Sequence, residues 1–475
     1  MALGIGYALP FIAGKQGGGG AGGAYGLLWQ GAINDNTPAT VEDGDAGQGS
    51  CLFTRGKTLY DVITTTPSLL IVPQIYKSGL LSVDIPSPED FTVTRATTAT
   101  RVNSSGLIES VASGVPRLDY LASGGVTGCP GLLVEPAATN LVPSGLIFNT
   151  LTGVQTSSVT VSPAAAVSGT LVTKNEGSGS TRFAQQTCST SVLAGSTTYV
   201  ISRFFKYYNA DFTTTLEFNS STNWGGVSWS QSIVLSAASG VTLGTSTSCT
   251  GSLENYGNGW YRVSVKITTG ASPTGSPVNY LMRLPSAVSE GQGFYTALPQ
   301  LETGTVATTY IPTTSASVTR NADFVVASGA VASGLIGQDQ GTIYVEFNMQ
   351  ALSVEGYAMR LVAESFDNSV HIRRASNNTL ALELKAAGTT VFSVTKSVTG
   401  YVKAAVGYQN GSTAAYVNGV QIDSTSSSSF SFSEQFTSVN LGSFASGSQV
   451  LTDRIRAAAL YTTRLSDGDL QKITT

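Results

Sequence analysis

From residue 143 onward, apolar and polar residues alternate with a period of two, and no segment holds the 3.6-residue period of an amphipathic helix for long. Within residues 143–323 the segments V-S-G-T-L-V-T-K, T-T-Y-V-I-S-R-F-F-K-Y-Y, T-L-E-F-N, G-V-S-W-S-Q-S-I-V-L and W-Y-R-V-S-V-K-I read as strands. Ser, Asn, Gly and Pro turns separate them at the intervals expected of a β-sandwich. Residues 324–475 repeat the pattern in G-T-I-Y-V-E-F-N, A-M-R-L-V-A, V-H-I-R-R, L-A-L-E-L-K, V-K-A-A-V-G-Y, T-A-A-Y-V-N-G-V and V-N-L-G-S, which predicts a second sandwich. In G-W-Y-R-V-S-V, Trp260, Arg262 and Ser264 share one face of a strand while Tyr261 and Val263 share the other. Trp260 is therefore expected to be a core residue.

Before residue 143 the pattern breaks up. Residues 95–142 are punctuated by Gly106, Pro116, Gly124, Gly125, Gly128, Pro130, Gly131 and Pro136 into pieces of strand length. They are expected to form a connecting segment with too little chain for a core of its own, packed against symmetry mates. Residues 25–94 contain short apolar strands between turns and read as a β-rich attachment region. Residues 1–24 join an apolar piece to a four-glycine run, Gly17–Gly20, a flexible spacer. Two readings stand for that piece: a terminus packed on its own domain, or a docking peptide inserted into another protein through Leu3, Ile5, Tyr7, Leu9, Phe11 and Ile12. Docking is the reading taken. The glycine run has no following Gly-Lys-Ser/Thr for a phosphate loop, and the opening lacks the basic stretch of a secretory signal.

Composition narrows the function classes. Only 11% of residues are charged and the net charge is −4, so there is no electrostatic footprint for nucleic acid. The 41% of hydrophobic residues can build cores, which argues against disorder. No segment is long and apolar enough for a membrane span. Cys51, Cys129, Cys188 and Cys249 lie far apart without a C-x-x-C motif, and His371 is the single histidine, so a zinc site is not expected. Cys188 and Cys249 fall in one sandwich, where pairing and buried free thiols are both open. Glu42, Asp43 and Asp45 lack the remainder of a calcium loop. No cofactor is expected, and calcium stays open without a motif to hold it.

Two strings of residues carry a resemblance. The order R-A-T-T-A-T-R, N-S-S-G-L-I-E, P-R-L-D-Y and G-L-L-V-E-P-A-A-T-N-L within residues 95–142 resembles a segment common in bacteriophage virion proteins, where it precedes jelly-roll domains similar to carbohydrate-binding modules. Such modules close with a string matched here by Gln300-Leu301-Glu302-Thr303-Gly304, Thr309-Tyr310-Ile311-Pro312-Thr313 and Thr319-Arg320-Asn321-Ala322-Asp323. The final third resembles a concanavalin A-like, laminin-G-type domain. That resemblance implies a hairpin at Asn418-Gly419 with positive φ at the turn, and a closing helix after Ser466, which serves as its N-cap. Glycosidases of concanavalin-like fold carry an E-x-D-x-x-E string on one strand. Here Glu346, Glu355, Glu364, Glu383, Asp423 and Asp453 are scattered without that spacing, Glu364 and Asp367 would point to opposite faces of a strand, and His371 reads as a structural or surface residue. No catalytic residue is expected.

The fold class expected is thus all-β: an irregular N-terminal docking segment followed by two β-sandwich (jelly-roll) domains, at 143–323 and 324–475. The resemblance implies a virion protein assembled in the host cytoplasm, a head or tail fibre or decoration protein on the particle surface. Its partners would be other virion proteins and, by analogy with phage fibres, two further copies in a homotrimer, with host surface glycan as the ligand. A purely architectural role in cementing neighbouring subunits is the alternative, and a glycan depolymerase a further one. Trp224 and Trp229, with Asn219 and Asn223, are the candidate sugar-binding residues: Gly225 and Gly226 beside Trp224 would leave its ring open to a ligand. The competing reading has Trp224 closing one end of the sandwich.

Overall fold

In the computed structural model the described residues are 65, 67–71, 91–122, 125–143, 148–175, 182–328, 334–350, 352, 354–376, 378–425, 429–445 and 447–475. The docking residues Leu3, Ile5, Tyr7, Leu9, Phe11 and Ile12, and the acidic residues Glu42, Asp43 and Asp45, lie outside them.

The fold is all-β, built as two sandwiches of two sheets each, and nearly every strand pairing is antiparallel. The proximal sandwich packs an eight-stranded sheet (I) on a six-stranded sheet (II). Sheet I runs in the order Thr250–Asn255, Tyr261–Thr268, Thr198–Tyr207, Gly293–Thr303, Val167–Lys174, Val154–Ala164, Ile108–Val111 and Ala99–Val102. Alternate residues point inward as the period of two requires: Ile201, Phe205, Val263 and Val265 from sheet I meet Leu216, Ile233, Tyr280 and Met282 from sheet II. The distal sandwich packs sheet III, centred on Gln340–Met349, Gly400–Gln409 and Asp453–Tyr461, on sheet IV. Sheet IV runs Thr92–Thr94, Phe324–Ser328, Phe436–Leu441, Gly356–Ala363, Ser369–Ser376, Thr379–Ala386 and Thr389–Ser397. Its core joins Ile343, Val345 and Val406 to Leu361, Ile372, Leu382 and Val439. The expected hairpin is present: Val417 pairs with Val420, and both Asn418 and Gly419 have positive φ. Helix Asp467–Thr474 closes the fold, with the Ser466 hydroxyl accepting from the Asp469 amide at 3.1 Å.

The final third does not complete its sandwich alone, which corrects the boundary at 324. Arg117–Ala122 and Gly125–Val134 extend sheet III, Leu69–Ile71 pairs with Asp453–Tyr461, and Thr92–Thr94 begins sheet IV. The main body of the proximal sandwich is therefore an insertion into the distal one, entered after Val134 and left before Phe324; the edge strands Ala99–Val102 and Ile108–Val111 of sheet I come before it. The two passages lie side by side as a two-stranded ribbon, Ala138–Asn140 with Val318–Arg320. A third core, of Val102, Ile108, Leu121, Phe204, Tyr256, Trp260 and Tyr310, fills the space between the outer face of sheet I and residues 95–142. The apolar residues of that segment are thus covered within the chain, which removes the reason for seating it on symmetry mates. Trp260 is a core residue, of this junction rather than of the sandwich interior. Cys188 and Cys249 are unpaired, and Cys129 is disulfide-bonded.

The neck is locked by buried charge. Glu135 Oε2 accepts from Arg117 Nη1 (2.7 Å), from the Thr309 hydroxyl (2.7 Å) and from Arg320, while its Oε1 accepts from the Thr309 amide (2.8 Å). Asp323 Oδ1 accepts from Arg95 (2.8 Å); its Oδ2 accepts from Arg117 and from the Glu135 amide (3.0 Å). Asp119, two residues from Arg117, accepts from the Val102 amide in sheet I (2.8 Å) and from Arg454 in sheet III (2.7 Å). Burial alone would raise the Glu135 carboxyl; the charges of Arg320 and Arg117 outweigh it and hold the group well below the usual carboxylate range. Burial, with repulsion from Arg117 added to it, lowers Arg320 despite Glu135, but a guanidinium stays charged.

Removing one partner from such a network leaves the others buried and unpaired, which costs about 3–5 kcal/mol. Glu135→Gln should therefore lower the unfolding free energy by roughly that amount in urea titration. Thr319→Ala, at an exposed position on the same ribbon, should stay within about 0.5 kcal/mol of the parent.

Candidate functional site

The tryptophan pair expected to bind sugar is buried. Trp224 ends the short 3-10 helix Ser221–Trp224, and both it and Trp229 are 0% exposed in the core of the proximal sandwich. Their rings meet edge to face, with centroids 5.3 Å apart. The glycines after Trp224 serve a different purpose from the one read in the sequence. A Cβ on Gly225 would stand 2.8 Å from the backbone of Gly270, whose amide donates to the Trp224 carbonyl at 3.0 Å. The small residue admits a crossing chain, and that chain covers the ring. Asn223 is also buried and donates to the carbonyls of Thr274 and Gly275, both at 3.1 Å. Asn219 is exposed but stands apart from any open ring of this set. The reading in which Trp224 closes the sandwich is the one the geometry supports.

A different polar surface lies on the outer face of sheet IV. Along Gly356–Ala363, Met359 and Leu361 point into the distal core, which turns Arg360 outward; Ile372 likewise turns His371 outward, and Leu382 and Leu384 turn Glu383 outward. Strand register sets these residues side by side: Asn440, Arg360, His371, Glu383 and Ser393 form one row across five strands. His371 Nε2 donates to Glu383 Oε2 at 2.8 Å, and Ser393 donates to Glu383 Oε1 at 3.0 Å. Arg373, in the next outward position, bridges Glu383 (2.9 Å) and Glu355 (2.7 Å). Phe366, in the turn after Gly356–Ala363, and Phe444 lean over the row with ring centroids 5.1 Å apart, and Phe366 is 49% exposed.

The electrostatics of the row follow from these contacts. The His371 hydrogen bond, with Arg373 beside it, outweighs burial and lowers the Glu383 carboxyl to about 2. Burial lowers His371 despite Glu383, so the ring is neutral at pH 7. Both shifts act in one direction. Glu383 contributes stability that is present above its unfolded value of 4.5 and lost as pH falls through about 2, and His371 adds a loss below 6.5, where the unfolded chain takes up the proton first. At neutral pH the face offers fixed carboxylate acceptors, guanidinium and hydroxyl donors, and an open aromatic ring. That set suits hydroxyl-rich ligands. Sequence reading took His371 as a structural or surface residue and Glu383 as one of several scattered carboxylates, and did not single out Arg360, because the register that aligns them is formed by three different strands.

Two other features were weighed. A cavity between the sandwiches, lined in part by Glu254, Tyr256, Arg262, Thr452 and Arg454, has a volume of about 30 Å³, room for a water rather than a sugar. Among the described residues, no three His, Cys, Asp or Glu side chains are grouped as a metal site would need.

No protein-family model matches the chain, and no curated protein matches it. Among solved structures, 30% of the chain is similar to 87% of the IT-sialidase CBM40 of Ruminococcus gnavus, at 17% identity and a TM-score of 0.26. It is similar over 32% of its length to domain 4 of a GH43 extracellular arabinanase from Geobacillus stearothermophilus in complex with arabinotriose, at 12% identity, 73% coverage of that chain and a TM-score of 0.27. A SAP-like pentraxin from Limulus polyphemus matches over 29% of this chain and 70% of its own, at 13% identity and a TM-score of 0.23. At these values the likenesses carry no functional argument.

A buried Trp224 makes a direct prediction. Trp224→Ala should destabilise the proximal sandwich by about 3–5 kcal/mol, as large-to-small core changes do, and Trp260→Ala should cost a similar amount in the junction core. Calorimetry on the two variants checks this; a melting temperature for Trp224→Ala equal to the parent's would place the ring at the surface.

Proposed function

We propose that this chain is a bacteriophage virion protein, a head or tail fibre or a decoration protein, which displays its two sandwiches for attachment to host surface glycan. The observation that carries the glycan part is the row Asn440–Arg360–His371–Glu383–Ser393 with Phe366 beside it. Donors, acceptors and a ring fixed on a sheet can orient a sugar more sharply than the same groups on a loop. The virion part is supported by the two strings that resemble phage proteins and by the place where they meet. They form the two sides of one locked neck, which suits a surface appendage that must hold its domains in a fixed attitude.

The reading is non-enzymatic. Of the acidic residues singled out, Glu346 pairs with Arg456, Glu355 and Glu383 share Arg373, and Asp453 accepts from Asn348. Assembly in the host cytoplasm with other virion proteins, and a homotrimer, belong to the same proposal. The trimer rests on analogy with phage fibres alone, now that residues 95–142 are packed within the chain.

The test uses the full chain against polysaccharide extracted from host cell surfaces, alongside antibody labelling of intact particles. Saturable binding, lowered at least severalfold by Phe366→Ala with an unfolding free energy within about 0.5 kcal/mol of the parent, and labelling on the particle surface are expected. Surface labelling with no polysaccharide bound would leave the architectural role in its place.

A further inference from the structure

Among the described residues Arg360 has no counter-ion. It is 2% exposed, its Nε has no hydrogen-bond partner, and its Nη1 reaches only the Phe444 carbonyl at 3.5 Å. The carboxylates nearest in the row, Glu383 and Glu355, are held by His371 and Arg373. Three rings surround the guanidinium instead, with centroids at 3.9 Å (Phe444), 4.8 Å (Phe366) and 5.6 Å (Tyr357). Aromatic faces attract a cation but replace only part of its lost hydration. The imbalance appears in the side chain's own affinity for its proton: burial lowers the Arg360 pKa to about 10, with the neutral phenol Tyr357, and no carboxylate, acting against it.

Other buried or nearly buried arginines make the contrast; Arg262, whose Nε is also unpaired, donates to Ser202 at 2.8 Å inside the junction and has Glu254 and Glu302 among its electrostatic partners. Arg95, Arg117 and Arg320 each face a carboxylate in the neck, and Arg454 faces Asp119. Arg203 is bonded to Thr296, Gln186 and Tyr280. Arg374 also lacks partners at Nη1 and Nη2, but it is 0% exposed and a Cβ on Gly356 would stand 2.8 Å from its Nη2, so backbone closes over it. Arg360 alone among these lies on an outer sheet face under a half-exposed ring carried by a turn.

We propose that this face takes an acidic saccharide whose carboxylate pairs with Arg360, with the Phe366 ring moving aside to admit it and then packing against the sugar. A planar guanidinium matches a carboxylate through two parallel N–H···O bonds, and the pairing supplies the missing counter-charge. His371 and Asn440 flank the arginine in the row and would meet the ring hydroxyls. The inference rests on the glycan-binding reading and names the ligand class for the same surface.

The experiment titrates the full chain with oligosaccharides ending in a hexuronate or a neuraminate, each beside its methyl ester, which removes the charge and adds a single methyl group. At least one acid should bind about ten- to a hundredfold more tightly than its ester, the range expected for a hydrogen-bonded charge pair. Arg360→Gln should reduce the acid to the affinity of the ester. The same variant, measured without ligand, should melt at the parent's temperature or above, because an uncompensated buried charge has been removed; a clear drop would make the arginine structural and overturn the proposal. Equal binding of acids and esters, unchanged in Arg360→Gln, would also overturn it while leaving the glycan-binding reading intact. Failure of every saccharide, neutral host polysaccharide included, would remove both.

Discussion

The carboxylates of Glu135 and Asp323 hold the structure together at its narrowest point. The chain leaves the distal sandwich after Val134 for the main body of the proximal one and returns before Phe324, and these two passages are adjacent. Each carries a buried acid: Glu135 follows the last strand on the way out, and Asp323 precedes the first strand on the way back. The Asp323 amide donates to the Glu135 carbonyl, the Glu135 amide donates to the Asp323 side chain, and Arg117 binds both carboxylates. Buried ion pairs stabilise only when their remaining donors and acceptors are also met, and here Thr309, Arg95 and Arg320 meet most of them. Only one attitude of the two sandwiches satisfies the set, so the network specifies geometry as well as adding stability.

That arrangement explains why two strings about 180 residues apart in sequence belong to one pattern. Asn140 bonds to the Ile311 carbonyl and accepts from the Leu301 amide; Gln300 bonds to Glu302 and accepts from the Ile311 amide; Thr308 donates twice to Glu302. Asn140, Gln300, Glu302 and Thr308 therefore each have a partner in the other string or in their own turn. The polar row proposed to bind glycan sits on sheet IV of the distal sandwich.

Much of the fold was legible because it is local. Alternation identified the strands, Asn418-Gly419 declared its hairpin, and Ser466 its helix. What depended on non-local pairing was not legible. Arg117–Ala122 and Gly125–Val134 looked like a connector because the hairpin they form joins the sheet through the pairing of Gly125–Val134 with a strand that begins at Asp453, more than 300 residues on, and no spacing in the sequence announces it. Trp224 failed for a related reason: Gly225 was read as leaving the ring open, whereas Gly270, 45 positions away, needs that space for its backbone. The row on sheet IV was hidden because Arg360, His371 and Glu383 each sit as an ordinary polar residue between apolar neighbours. Only the register between strands brings them together, and only the burial of Arg360 without a carboxylate distinguishes it from a solvated surface charge.

The lock at the neck is tested most directly by the heat capacity of the unmodified chain through thermal unfolding. If the Glu135–Arg117–Asp323 network couples the sandwiches, they melt together in one transition, with calorimetric and van't Hoff enthalpies equal. Two resolved transitions, each accounting for one sandwich, would contradict the coupling and reduce the neck to a tether.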